Sequence, residues 1–291
     1  MHRRMLHTIT KMKLVSNNSC LILSARHALV HPIATECPIQ GTNGETYDRV
    51  KLLQSENYFV EILGQPITDA ELEINNQYIK DNIPNDVGIR DSIKLQIWTL
   101  TLHPAVVLMD YETILQKPLD QDIDMLLADE NLKGLYISSP PDVNTGEAGV
   151  DTGFLIIKPS LKEFDNIVNT FVNTVFDPNT GWNGQGHHGF KGDMSISGFL
   201  SWYFANDPGY LELDRCTYAH DADEGCLSSI SLTEAKCFKL YDTNCGNPRD
   251  CPYDHPDWSA EKREACSIFH RKCKSGGIIF VYKIRVSHTF T

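Results

Sequence analysis

Apolar and polar positions alternate along this chain in segments that predict strands and helices in turn. Residues 58–62 (Tyr-Phe-Val-Glu-Ile) predict a strand, residues 69–82 a polar helix, and residues 90–102 an amphipathic helix carrying Ile93, Leu95, Ile97, Trp98 and Leu100 before Pro104 stops it. Ala105 to Met109 is an unbroken apolar run, the pattern of a strand covered on both faces, and it ends in Asp110 and Glu112. A third strand is predicted at Gly134–Ile137, and a fourth at Gly153–Lys158, closed by Pro159. Ser160 with Glu163 three residues on predicts a capping box for a helix whose buried stripe is Phe164, Ile167, Val168 and Phe171.

The stretch 177–192 carries five glycines and no periodicity, so it reads as a loop; a helix from Asp193 to Phe204 follows, with Asp193 as its N-cap or first-turn acid. The alternation predicts an α/β fold, a Rossmann-like, mostly parallel sheet flanked by helices. In such sheets ligands bind beyond the carboxyl ends of the strands, where Asp110 and Glu112 fall.

Length and composition fit one large domain with inserts: 291 residues, 41% hydrophobic. The 26 basic and 38 acidic residues give a formal charge of −12, which argues against nucleic acid as a partner. A small anion bound through a metal ion and one or two local cations remains compatible with that charge. No segment has the roughly 20 apolar residues of a membrane span. The basic N-terminus is followed by an apolar stretch, Cys20 to Ala25, that is short for a signal sequence.

Seven of the nine cysteines lie between Cys216 and Cys273 at irregular spacings without a CxxC. This pattern favours disulfides over a zinc site, and with them the Golgi or another secretory lumen; reduced thiols would mean the cytoplasm. Asn17-Asn18-Ser19 is a glycosylation sequon.

Two carboxylates two residues apart on an extended segment face the same side, so Asp110 and Glu112 can share one divalent cation with a diphosphate. Oxygen ligands, with an imidazole added, suit Mn²⁺ or Mg²⁺.

Lys94-Leu95-Gln96-Ile97-Trp98-Thr99-Leu100 and Val106 to Thr113 resemble the helix and metal-binding strand of the family 8 glycosyltransferases, the glycogenin-like enzymes. Asp151-Thr152-Gly153-Phe154 to Lys158-Pro159-Ser160 resembles the family's Asn-x-Gly strand and its stop, and Gly192-Asp193-Met194 its Gly-Asp-Gln segment. Val286-Ser287-His288-Thr289-Phe290 is similar to the start of the late segment that supplies a metal-ligating His ahead of a Lys-Pro-Trp, and truncation is the expectation there.

The resemblance implies a GT-A fold in residues 50–215, preceded by a poorly matched segment 1–49 and followed by a Cys-rich insert 216–277 and a terminal segment 278–291. It implies a retaining transfer of a hexose from a nucleotide diphosphate sugar, such as UDP-glucose or UDP-galactose, to a glycan, protein or lipid. By position, Asp110 takes metal and ribose, Glu112 and His288 complete the metal site, Lys94 contacts the donor, and Asp151, Asp193 and Met194 face the transferred sugar.

Three positions depart from the family pattern. Glu112 replaces Asp, moving the carboxylate out by about 1.5 Å. Asp151 replaces Asn, exchanging two N–H donors for a charge. Met194 replaces Gln and loses an amide near the reacting carbon, so reduced activity is expected; the alternative is a non-catalytic or weakened relative that binds nucleotide or a partner.

Overall fold

The computed structural model describes residues 21–30, 39–40, 46–47, 58–68, 70–72, 76–82, 89–110, 113–115, 117–141, 146–185, 194–219, 226, 229–231, 234–239 and 278–286. In chain order its elements begin with strands β1 (Leu21–Val30), β2 (Ile39–Gln40), β3 (Thr46–Tyr47) and β4 (Tyr58–Ile62), helix α1 (Gln77–Asn82) and a 3-10 helix (Ile89–Thr99). Next come β5 (Ala105–Asp110), β6 (Thr113–Leu115), α2 (Asp120–Ala128), β7 (Gly134–Ser138), β8 (Val150–Ile157), α3 (Leu161–Asn173), β9 (Phe176–Asp177) and β10 (Gly181–Trp182). The last are α4 (Ile196–Ala205), β11 (Tyr210–Leu213), α5 (Arg215–Tyr218), β12 (Cys237–Lys239) and β13 (Ile278–Val286).

A seven-stranded sheet in the order β11-β7-β8-β5-β13-β1-β4 organises the molecule. Strands β4, β1, β5, β7 and β11 point one way, while β8 and β13 run against them. The fold is therefore α/β with a predominant strand direction, as expected. The reversed strands make most neighbouring pairs antiparallel, however, and β7 and β8 pair without an intervening helix. Strands β1 and β13, drawn from opposite ends of the sequence, lie side by side within the sheet.

Both faces of the sheet are covered, which explains the unbroken apolar run in β5. Val106 and Leu108 join one core with Leu155, Ile157, the 3-10 helix, α3 and α4; Ala105, Val107 and Met109 join a second core with Phe154, Ile156 and α2. In the first core Phe199 meets Phe171 edge-on at 4.9 Å and Trp182 at 5.0 Å between ring centroids. Trp182 thus pins the β9–β10 hairpin that opens the glycine-rich stretch, each such ring pair adding about 0.5–1.5 kcal/mol beyond its burial.

Three local expectations are corrected. The polar helix expected at 69–82 is interrupted: residues 70–72 are helical, Asn76 is not, and α1 follows it. The segment expected as an amphipathic helix at 90–102 is wound as a 3-10 helix and ends at Thr99. Helix α4 is capped by Ser195, whose side chain accepts from Ser197 N, rather than by Asp193. At α3 the expected cap is half present: Ser160 Oγ accepts from Glu163 N at 3.3 Å. The Glu163 carboxylate turns inward instead, accepting from Lys133 Nζ at 3.0 Å, Tyr203 OH at 3.1 Å and Tyr210 OH at 3.0 Å.

A candidate donor site at the sheet edge

β5 ends at the edge of the sheet where β8 begins, because the two strands are antiparallel. Along β7, Tyr136 pairs with Leu155 and Ser138 with Val150, so the four residues Asp151 to Phe154 stand opposite the single Ile137. Such a bulge redirects side chains at the mouth of a sheet. Asp151 stabilises it, accepting from Gly153 N at 2.8 Å, and is itself only 7% exposed.

Three parts of the chain converge on this bulge. From the 3-10 helix, Lys94 Nζ donates to Thr152 Oγ1 at 3.2 Å and pairs with Asp91 at 3.1 Å. The winding accounts for that ion pair, since residues three apart eclipse one another on a 3-10 helix. Thr152 Oγ1 also lies 3.4 Å from Asp91 Oδ2. Lys94 is 8% exposed, so it is not a solvated surface lysine. A charge so buried is held only with partners, and losing one costs about 3–5 kcal/mol.

Helix α4 supplies the second tether: Ser201 Oγ accepts from Val150 N at 2.6 Å, and Ser197 Oγ donates to Val150 O. These bonds bring the start of α4, and Met194 just before its cap, to the first residues of β8. Met194 is half-buried and packs against the first core.

Residues around the Asp-x-Glu motif supply the third. Met109 pairs with Phe154, and Thr113 Oγ1 donates to Gly153 O at 3.4 Å. The backbone on either side of the motif thus lies along Gly153–Phe154. Asp110 closes β5 opposite Ile279 of β13. The Asp110 side chain and residues Glu112, Asp193 and His288 lie outside what the structure describes. Among the described residues no three His, Cys, Asp or Glu side chains gather to hold a metal.

Asp91, Thr152, Ser197 and Ser201 had been given no role from the sequence. Only the i,i+3 spacing of Asp91 and Lys94 signalled any of them in advance.

Beyond the sheet edge, Cys216 and Cys226 form a disulfide in the Cys-rich insert, whereas Cys237 is a free, buried thiol. Among the described residues no helix is long and apolar enough to cross a membrane.

No family model and no curated protein matches the sequence. Among solved structures, the chain is similar to mouse xyloside xylosyltransferase 1 in its apo form, at 12% identity and a TM-score of 0.39, over 67% of this chain and 79% of that one. It is similar also to the glycosyltransferase GlyE of Streptococcus pneumoniae TIGR4, at 13% identity and a TM-score of 0.38, over 72% of this chain and 53% of that one, about half its length. Likeness at this level adds nothing to what the sheet and its polar cluster establish.

Proposed function

We propose that the chain is a retaining glycosyltransferase of GT-A type, similar to family 8, which moves a hexose from a UDP-sugar to a glycan, protein or lipid acceptor. One observation carries this reading: the three tethers that bring the Lys94 helix, the Asp-x-Glu segment and the start of α4 onto residues 150–154. These are the segments whose sequence resembles the family, and they meet at the carboxyl edge of the codirectional strands, where ligands bind in α/β sheets.

Two carboxylates and an imidazole form a donor set suited to Mn²⁺ or Mg²⁺, so Asp110, Glu112 and His288 are the residues that would hold the ion. When bound, it neutralises charge on the departing diphosphate.

Lys94 presents a fixed cation to the same diphosphate. Thr152 and Asp91 set its direction in advance, so little reorganisation is needed as charge develops. Asp151 and Asp193 face the transferred sugar. Residues 216–239, with their disulfide, fit a protein of the secretory lumen.

A second reading, a nucleotide-binding relative without turnover, is favoured by Asp151 and Met194. The former spends a carboxylate oxygen on its own bulge and the latter packs on the core.

Calorimetric titration of UDP with and without Mn²⁺ tests what both readings share. Metal-dependent binding is expected; its absence overturns both.

A further inference from the structure

Strand β6 begins one residue after Glu112 yet, among the described residues, belongs to no main-sheet ladder; there it pairs with β12 alone, in a two-stranded sheet of its own. Apart from the Thr113 bond to Gly153 and the packing of Leu115 on the second core, what fixes the far side of the Asp-x-Glu motif is whatever fixes β12. That is Lys236, the residue just before β12. Its ammonium donates to both oxygens of Asp122 in α2, at 2.9 and 2.8 Å, and to Tyr218 OH at 3.0 Å, while Tyr218 OH donates to the same carboxylate.

The Lys236 backbone is held as firmly as its side chain. Its N–H donates to Thr217 O at 2.7 Å, and its carbonyl accepts from Lys117 N at 3.1 Å, just past β6. The Cys216–Cys226 disulfide closes α5 on the other side of Thr217. The clamp is largely out of water, with the Asp122 side chain 8% exposed and that of Lys236 20%. The Tyr218 ring lies against Phe154 of the bulge, 5.8 Å between centroids, but the polar groups of the clamp pair with one another, so donor binding does not explain why they are gathered here.

We propose that Lys236, clamped by Asp122 and Tyr218, is a positioning residue that holds β6, the strand into which the Asp110–Glu112 segment runs, through the β12–β6 ladder. This rests on the donor-site reading above. Partners that orient metal ligands from behind are worth about 10–100-fold in metal affinity, whereas a purely structural ion pair alters stability and leaves the folded site unchanged.

The test is a titration of Mn²⁺ into the full chain at saturating UDP, with circular dichroism to confirm folding. Lys236→Met, which keeps the aliphatic stem, is expected to weaken Mn²⁺ binding about 10-fold, and Lys236→Arg to restore most of it. UDP binding without metal is expected to stay the same in both variants. Wild-type Mn²⁺ affinity in folded Lys236→Met overturns the inference. If Lys236→Met does not fold, Tyr218→Phe decides: weakened Mn²⁺ binding supports the clamp, and unchanged binding overturns it. A wild-type chain that binds no UDP with Mn²⁺ overturns the donor-site reading and this inference with it.

Discussion

Lys94 separates a functional from a structural account of the site most sharply. It is buried beside one carboxylate and one hydroxyl, on a helix whose 3-10 winding stacks it over Asp91. Lys94→Met should weaken UDP binding about 10-fold, the effect of removing a charge-assisted bond to phosphate, while Thr152→Val, which frees the ammonium from one tether, should weaken it less. Equal UDP affinity in Lys94→Met, measured by calorimetry, would show that this lysine serves only the fold. Met194→Gln tests the other departure at this scale: restoring an amide should raise turnover, and unchanged turnover would mean that the apolar contact with the core is all this position provides.

Among the elements, those whose two faces are buried were the most legible in the sequence. Ala105 to Met109 reads as a covered strand because both sets of alternate side chains enter cores. The reversal of β8 was not legible, since alternation records which face a residue takes and not the direction of its strand. Nor could local pattern show that Leu21–Val30 lies against Ile278–Val286, a pairing that depends on residues from opposite ends of the chain. Glu163 gives the same lesson at a helix terminus. Its spacing from Ser160 suggested a cap, but Lys133, Tyr203 and Tyr210, brought in from other elements, offer more bonds. The consequence can be measured by urea unfolding: Glu163→Ala should cost about 3 kcal/mol, as loss of one member of a buried charged network does, and Ser160→Ala about 1 kcal/mol, as loss of a cap does. Equal costs would mean that the inward network adds nothing to the cap.

For the whole molecule, the buried phenols and thiol govern the alkaline limit of stability. Burial and the bond to Asp122 push Tyr218 up to about 12 from 10.0; burial, with the Glu163 carboxylate, raises Tyr203 and Tyr210, and burial raises the Cys237 thiol. Each group holds its proton more tightly folded than unfolded, so its contribution is complete below the unfolded value and is lost as pH rises above it. Lys133 and Lys236 act in the same direction, their bonds to carboxylates outweighing the burial that opposes their charge. Stability should hold level to about pH 9 and fall steadily above it, with the fall reduced in Tyr218→Phe. Urea midpoints that stay constant through that range would contradict the assignment of these groups to the folded core.

Of the candidate site, the Lys94 helix, the Asp-x-Glu strand and the segment before α4 were legible as motifs in order; the sheet adds the bulge at residues 151–154 on which these elements meet. The claim that they meet to transfer a sugar is tested most directly by UDP release from UDP-glucose and UDP-galactose, with and without Mn²⁺, in the wild-type chain and in Asp110→Ala. The account predicts metal-dependent release from one of these donors, abolished in Asp110→Ala while the fold is retained. UDP binding without release from either donor would contradict transfer and leave the chain a nucleotide-binding protein.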